Sequence, residues 1–338
     1  MEAALYDPQD GYYCREGAER WGRSGDYRTS PERSSLFAAT FARYFANLYD
    51  QLDKPHQLTI VEMGAGAGYF AEGVLNTLQH QFPEVFAATK YIVDELSPAS
   101  VELARSRLAP FHDRVEFSHP SQAGTGIVFS NELLDAFPVH RVMLKDGELR
   151  ELYVGVNDAN EFEWTDGALS NPKLSDYFDY VGVHLTQNGQ IADVNLEVRD
   201  WLARVATLFD RGYVITVDYG DDAGNLFGIH GRQEGTLRAF RRHQFANVLE
   251  NPGEQDITTT VDWTYVKRQG EAQGLDTVSF ERLDQFLLSA GILEQLERMT
   301  AQTSLESDRA SLRTSAREMI LPHGMATSFQ VLVQRRRP

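Results

Sequence analysis

The stretch that decides the fold is Leu58-Thr59-Ile60-Val61-Glu62-Met63-Gly64-Ala65-Gly66-Ala67-Gly68-Tyr69-Phe70. Its apolar first half predicts a buried strand, and its three alternating glycines predict a turn before a helix that begins near Tyr69. Glycine has no Cβ, so its backbone adopts positive φ and lets a ligand approach closely. The stretch therefore predicts the strand, turn and helix start of a nucleotide-type binding site.

Two glutamates narrow the class of ligand. Glu62 directly precedes the turn. A phosphate binds to N–H groups and to the positive end of a helix dipole, so a carboxylate at this position does not suit a phosphate ligand. A carboxylate there suits a ligand with an amino group and a positive centre, such as S-adenosylmethionine (SAM). Glu95 follows the next predicted strand, Tyr91–Asp94, about 31 residues after Gly64, and can accept two hydrogen bonds from ribose hydroxyls. The alternative for Glu95 is a charge at the N-terminus of the helix that Ser97-Pro98 begins. The predicted cofactor-binding residues of this region are Glu62, Gly64, Gly66, Gly68 and Glu95.

Polar residues also follow a third predicted strand, Ile127–Ser130. If a helical turn begins there, Glu132 and Asp135 share one face at i and i+3. Two carboxylates can hold a guanidinium through paired hydrogen bonds. Asn131, Glu132 and Asp135 are therefore the candidate catalytic residues. The alternative is that Asn131 caps a helix whose first turn carries the acids.

Strands and helices alternate along most of the chain, which predicts an α/β fold with a mostly parallel, doubly wound sheet. Residues 1–52 are expected to form an N-terminal loop or lid and a helix, and residues 53–338 the core. An insertion of strands and short helices is expected at about 139–193. A loop and helical region is expected at about 220–273, with residues 220–260 as a long loop. Ligands of such sheets bind beyond the carboxyl ends of the strands.

A dense polar segment, Gly25–Glu32, precedes a predicted helix from Pro31 to about Leu52. It could close over a ligand as a lid, which makes Asp26, Thr29 and Ser30 candidate cofactor-binding residues. Ser30 also reads as the N-cap of the helix. The alternative is a solvated surface loop. The predicted apolar face of the helix comprises Leu36, Phe37, Phe41, Tyr44, Phe45 and Leu48.

Three later segments are polar and stand at the ends of predicted elements. Asp218-Tyr219-Gly220 ends a strand and could line an acceptor pocket. The segment from Arg232 to His243 is a basic island in an acidic chain. Its role is left open among a lid, a contact to a carboxylate and simple surface charge. Asp256–Thr259 reads as a turn or cap, with a role in the site as the alternative.

Composition excludes several classes of protein. The net charge of −17 would repel nucleic acid. The lone Cys14 can form neither an internal disulfide nor a cysteine metal cluster, and the histidines show no metal-ligand spacing. No apolar run approaches the ~18 residues that span a bilayer, and no signal peptide opens the chain. We therefore expect no metal, no membrane insertion and a cytoplasmic location.

The order of these motifs resembles that of the MidA-type SAM-dependent methyltransferases, over essentially the whole chain. The segments that carry the resemblance are Ala4–Pro8, Gly11–Tyr13, Gly25–Glu32, Glu62–Gly68, Glu95–Pro98, Asn131–Pro138, Asp218–Gly220, Gly235–Arg238 and Pro252–Thr258. The resemblance implies a class I methyltransferase (Rossmann-like) sheet with an inserted α+β region and helical additions. It implies SAM as cofactor and methylation of a protein arginine. The protein substrate implied is a respiratory-complex subunit, and a homodimer is left open.

Two rival functions remain. The first is a non-catalytic assembly protein that keeps the fold and binds SAM. The second is an NAD(P)-dependent oxidoreductase, which also places glycines after its first strand and an acid after its second. In that class the acid usually lies about 20 residues on, closer than Glu95 does here. The sequence also offers no Tyr-x-x-x-Lys pair for hydride transfer.

Overall fold

The computed structural model describes residues 1–15, 34–122, 124–241, 244–321 and 325–337. The predicted lid residues Asp26, Thr29 and Ser30 lie outside the described residues, so their role stays a prediction. None of the described helices combines the length and the hydrophobicity that spanning a bilayer requires.

The helices and strands follow each other along the chain with these bounds. The helices are α1 (Glu2–Tyr6), α2 (Ser35–Gln51), α3 (Tyr69–Gln81), α4 (Pro83–Ala88), α5 (Pro98–Arg107), α6 (Lys173–Val181), α7 (Glu197–Leu208), α8 (Ala223–Phe227), α9 (Trp263–Ala272), α10 (Leu283–Ala290), α11 (Ile292–Gln302) and α12 (Glu306–Ile320). The strands are β1 (Leu58–Met63), β2 (Thr89–Asp94), β3 (Val115–Phe117), β4 (Gly124–Asn131), β5 (His140–Lys145), β6 (Glu148–Val156), β7 (Phe162–Gly167), β8 (Ile191–Val194), β9 (Phe209–Asp221), β10 (Arg238–Arg241), β11 (Gln244–Ala246), β12 (Asp256–Thr258), β13 (Val261–Asp262), β14 (Leu275–Arg282) and β15 (Phe329–Arg336).

The chain divides into two compact units. The first contains the described residues of Met1–Tyr27, Leu134–Ala203 and Tyr219–Gln273. The second contains the described residues of Arg28–Leu133, Arg204–Asp218 and Gly274–Pro338. The glycine turn therefore belongs to the second unit.

The second unit is built on a sheet with the strand order β14-β15-β9-β4-β1-β2-β3. The pairs β1–β2, β1–β4, β2–β3 and β4–β9 are parallel, whereas β14 and β15 are antiparallel. Met63 at the end of β1 lies in register with Asp94 of β2 and Ser130 of β4. The carboxyl ends of three strands thus meet at one edge, as expected for the predicted mostly parallel methyltransferase sheet.

Aromatic side chains of several helices fill the core of this unit. Phe41 of α2 lies 5.1 Å from both Phe129 of β4 and Phe286 of α10, measured between ring centroids. Phe70 of α3 stacks on Phe129 at 4.1 Å. Each fully buried phenylalanine contributes on the order of 2 kcal/mol to folding. This burial explains why α2 forms where its apolar spacing predicts a helix.

The N-terminus of α2 corrects one detail of the sequence analysis. The described helix begins at Ser35, not at Pro31, and its N-cap is Ser34, whose Oγ accepts a hydrogen bond from the Leu36 N–H at 3.0 Å. Of the predicted apolar face, Tyr44 is half-buried, while the others are buried.

The first unit contains two small sheets, ordered β7-β6-β5-β8 and β11-β10-β12. The pairs recorded within them are antiparallel. A small core of Leu5, Tyr12, Ala239 and Ile257 joins α1 and the following turn to the second of these sheets. Residues 220–260 were expected to be a long loop, but they contain α8, β10, β11 and β12. Strands of three or four residues are too short to give a clear period-2 signal.

Candidate functional site

The glycine turn that follows β1 has the backbone that its sequence predicts. Gly64, Gly66 and Gly68 have φ angles of +72°, +52° and +78°. The Gly64 N–H donates to the carbonyl of Asp94 at 2.8 Å, which fixes the turn to the end of β2. All three glycines therefore occupy the left-handed region that other residues avoid.

Close packing adds a second constraint at Gly68. A Cβ built there would lie 3.0 Å from the Ala104 Cβ and 3.2 Å from the Ala104 Cα, which is backbone and cannot rotate away. We predict that Gly68→Ala lowers the free energy of unfolding by about 2–3 kcal/mol, measured by urea denaturation. Gly124→Ala is the matched control, because Gly124 also has a positive φ (+70°) but no atom of the described residues lies within 4 Å of such a Cβ. It should cost only about 1 kcal/mol. Equal losses in the two variants would show that the contact with Ala104 is unimportant.

Glu95 connects the glycine turn to the start of α5. Its Oε2 accepts from the Gly66 N–H at 2.8 Å, and its Oε1 accepts from the Ser97 N–H at 2.7 Å. Burial raises the pKa of this carboxyl group, against the opposing effect of these two N–H donors. The carboxylate is thus held with a fixed orientation at the carboxyl end of β2, where the sequence analysis expected an acceptor for ribose hydroxyls.

Glu62 is a buried carboxyl group. It is 5% exposed, and its Oε2 accepts from the Tyr91 hydroxyl at 2.6 Å. Burial raises the pKa of Glu62 to about 8, although the Tyr91 hydroxyl lowers it in part. Glu62 therefore contacts the neighbouring strand, and its predicted role toward a cofactor remains a prediction.

The raised pKa predicts how stability depends on pH. The folded chain protonates Glu62 more readily than the unfolded chain, whose glutamate pKa is about 4.5. The stability from this group is fully present below about pH 4.5 and is lost as the pH rises toward 8. Glutamine does not titrate, so the Glu62→Gln variant should not lose this stability. We therefore expect the difference in unfolding free energy, wild type minus variant, to fall by about 1.4 kcal/mol per pH unit between pH 4.5 and 8. Urea titrations at several pH values measure this difference, and parallel curves would contradict it.

Arg107 of α5 was not singled out by the sequence analysis, yet it holds the turn. Its Nε donates to the Ala67 carbonyl at 3.0 Å, and its Nη1 donates to Glu72 at 3.1 Å. Its guanidinium also lies 3.4 Å from the centroid of the Tyr69 ring. A basic residue in the last turn of a helix is common, so no sequence signal marked it.

Asp94 forms a second cluster that sequence reasoning missed. This buried carboxylate accepts from Arg204 Nη2 at 3.0 Å and also contacts His119 Nδ1. Arg204 comes from α7 and lies 3.6 Å from the Met63 sulfur as well. These contacts tie the ends of β1 and β2 to α7 within the second unit.

The end of β4 carries strained and unpaired polar groups. Glu132 has a φ of +51°, which is unusual for a residue other than glycine and marks functional sites more often than chance. The Asn131 Nδ2 donates to Glu132 Oε1 at 3.2 Å. Among the residues that the structure describes, the buried Asn131 Oδ1 and Ser130 Oγ have no hydrogen-bond partner. Buried polar groups without a partner are rare, and a functional role is one of the explanations for their presence.

The expectation that Glu132 and Asp135 share one face of a helical turn is wrong. The helical turn after β4 is a 3₁₀ helix that begins at Leu134, so Glu132 lies before it in a left-handed conformation. Glu132 and Asp135 therefore do not share a helix face at i and i+3. Their proposed catalytic roles do not depend on a helix and stay predictions.

Asp135 lies in the first unit and is 7% exposed. Its Oδ2 accepts from the Tyr219 hydroxyl and, at 2.7 Å, from the Thr258 hydroxyl, while its carbonyl accepts from the Thr259 N–H at 2.9 Å. Burial raises the pKa of Asp135, and the hydroxyl donors and the charge of Arg238 oppose that rise. Three segments that the sequence analysis singled out separately thus meet at this carboxylate.

Comparisons with known proteins give the family context. A family described as "Putative S-adenosyl-L-methionine-dependent methyltransferase" matches residues 40–281. The mitochondrial protein arginine methyltransferase NDUFAF7 homolog of Drosophila melanogaster is 25% identical, over 98% of this chain and 79% of the relative. The NDUFAF7 protein of Danio rerio is also 25% identical, over 98% of this chain and 81% of its own length.

A solved structure is similar over the whole fold. It is a superfamily member from Burkholderia thailandensis bound to S-adenosyl-homocysteine, with 27% sequence identity and a TM-score of 0.85. The match covers 99% of this chain and 86% of that one. The class I methyltransferase fold expected from the sequence is confirmed.

The names of the curated relatives also bear on location. Both proteins are described as mitochondrial. This finding contradicts the cytoplasmic location expected from the sequence, and that expectation is withdrawn.

Proposed function

The chain belongs to this family of SAM-dependent methyltransferases, and we propose that it transfers a methyl group from SAM to a guanidinium nitrogen of a protein arginine. The observation that carries the proposal is the left-handed glycine turn of the second unit, with Glu95 bonded to the Gly66 N–H. The arginine acceptor is supported by relatives that are protein arginine methyltransferases and align with almost the whole chain.

The residues of the turn fit this cofactor. A Cβ at Gly64 would stand 3.0 Å from the Leu133 Cδ1, and the φ of +72° strains any residue that has a Cβ, so glycine is favoured there. Gly64, Gly66 and Gly68 would let the cofactor lie along the turn, and Glu95 would accept hydrogen bonds from the ribose hydroxyls. Glu62 would help to hold the amino-acid end through N–H groups or water.

The reaction forms a bond between a guanidinium nitrogen and the methyl carbon and breaks the bond between that carbon and sulfur. When bound, the cofactor supplies a methyl group attached to a positively charged sulfur. The sulfur is the leaving group and becomes a neutral thioether. The protein has to position the acceptor and exclude water. We assign the orientation of the guanidinium and the stabilisation of its charge to Asp135 and Glu132, with Asn131 supporting Glu132. The guanidinium proton is lost during or after transfer, because free arginine has a pKa above 12.

Incubation of the purified chain with SAM labelled in its methyl group and with lysate of the source cells tests the proposal. We expect label in methylarginine of a discrete protein, identified by peptide mapping. A respiratory-complex subunit is the acceptor that the family resemblance implies. Light scattering of the same preparation tests whether the chain forms the homodimer that the sequence analysis left open.

Each negative result has a different meaning. Calorimetric binding of S-adenosyl-homocysteine without any transfer would favour a non-catalytic SAM-binding assembly protein. Binding of NADH and no binding of S-adenosyl-homocysteine would favour an oxidoreductase and overturn the proposal.

A further inference from the structure

Two arginines of the first unit converge on one hydroxyl group. Arg232 Nη1 lies 3.4 Å from the Thr260 Oγ1, and Arg238 Nη2 lies 3.3 Å from the same atom. Arg238 is half-buried, Arg232 is exposed, and Thr260 is 9% exposed. The Thr260 N–H donates to the Thr236 hydroxyl at 3.2 Å, which anchors this position in the fold. Two like charges are therefore held close together by a neutral acceptor.

No carboxylate among the described residues forms an ion pair with either of these guanidinium groups. The buried Nε of Arg238 also has no hydrogen-bond partner within the part of the chain that the structure describes. Other arginines of the same unit do find acids: Arg141 pairs with Asp193 at 2.8 Å, and Arg241 pairs with Glu254 at 2.8 Å. A half-buried guanidinium whose Nε lacks a hydrogen-bond partner is costly, and a planar guanidinium is well suited to bind a carboxylate.

Arg238 lies near the carboxylate assigned to the acceptor. The Arg238 guanidinium is 5.3 Å from the centroid of the Tyr219 ring, and the Tyr219 hydroxyl donates to Asp135. The Asp135 carboxylate and the Arg238 guanidinium thus lie on either side of Tyr219, and Arg232 shares the Thr260 hydroxyl with Arg238. This arrangement is complementary to a ligand that carries a positive and a negative group side by side.

We propose that Arg232 and Arg238, together with the Thr260 hydroxyl, bind a carboxylate that the acceptor protein carries next to its methylated arginine. The inference rests on the proposed function and adds a substrate class to it: arginines adjacent to an acidic residue. Arg232 and Arg238 of the basic island are then recognition elements for a carboxylate rather than surface charge.

Chloride is the first probe, because the line width of its ³⁵Cl resonance reports binding to the full-length protein. We expect wild type to broaden the line and acetate to reverse the broadening. Arg232→Gln and Arg238→Gln should each weaken acetate binding about tenfold, since each removes charge-assisted hydrogen bonds. Arg241→Gln is the matched control: it lies on the same strand as Arg238 but is paired with Glu254, and it should behave like wild type. Equal acetate binding in all four folded proteins would overturn the site.

Two synthetic peptides distinguish a carboxylate in a protein segment from a free carboxylate. One contains Arg-Asp and the other Arg-Asn, and each competes with chloride. Stronger competition by the Arg-Asp peptide, lost in Arg238→Gln, would support the proposal. Competition by acetate with no difference between the peptides would restrict the site to free carboxylates and overturn the substrate class. Calorimetry with S-adenosyl-homocysteine on the same samples reports separately on the proposed function.

Discussion

Glu95→Gln is expected to weaken binding of S-adenosyl-homocysteine by about 100-fold or more, measured by titration calorimetry. The glutamate uses one oxygen for the Gly66 N–H and the other for the Ser97 N–H. Glutamine has only one acceptor oxygen. Its NH₂ group would therefore face either the Gly66 N–H or the Ser97 N–H, and two donors cannot form a hydrogen bond with each other. The substitution also removes the negative charge proposed to accept the ribose hydroxyls. Hydrogen bonds to charged groups contribute about 1.5–3 kcal/mol each, and losing two accounts for this factor.

The control for this prediction is Glu102→Gln, since Glu102 lies on α5, which follows Glu95, and its side chain is 78% exposed. It should bind S-adenosyl-homocysteine like wild type. Circular dichroism and urea denaturation establish that the Glu95 variant remains folded. A folded Glu95→Gln protein with unchanged affinity would remove Glu95 from the cofactor site.

Asp135→Asn should lower the rate of methyl transfer by about 10²–10³-fold while the affinity for S-adenosyl-homocysteine stays within about threefold of wild type. The asparagine is nearly isosteric, and its oxygen can still accept from the Tyr219 and Thr258 hydroxyls. What it loses is the negative charge that we propose orients the acceptor guanidinium. Single-turnover transfer of label from SAM measures the rate.

Asp262→Asn is the control for the loss of a buried acid. Asp262 accepts from the Tyr177 hydroxyl at 2.7 Å, caps α9 and belongs to the same unit, and burial raises its pKa to about 6. It resembles Asp135 in burial and in its tyrosine partner, but nothing assigns it to the site. Equal loss of transfer in both variants would mean that buried acids act through stability, and a fully active Asp135→Asn protein would exclude a role in the reaction.

Local rules predicted the parts of the fold that depend on neighbours in sequence. The apolar run of β1 and the glycines after it define a strand and a left-handed turn, because each effect acts within a few residues. Ser97-Pro98 likewise marks the start of α5, and Ser97 is its N-cap. The mostly parallel character of the sheet followed from the alternation of strands and helices.

Contacts between distant segments could not be predicted in the same way. Thr258 is separated from Asp135 by 123 positions, and Tyr219 by 84. No periodicity in the sequence identifies such partners, although the sequence analysis singled out each of these polar segments separately. The positive φ of Glu132 could not be predicted from the sequence either. It occurs where the chain leaves β4, and the Glu132 N–H donates to the carbonyl of Val217 in β9, which is distant in sequence.

The contact between Gly68 and Ala104 has an evolutionary consequence. Ala104 is fully buried, and no room for another carbon exists between it and the turn. A larger residue at either position requires a smaller one, or a displaced helix, at the other. Since α5 also carries Arg107, a displaced α5 would alter the hydrogen bond from Arg107 to the Ala67 carbonyl. Substitutions in the glycine turn and in α5 should therefore be epistatic, and the two segments are expected to diverge together among homologues.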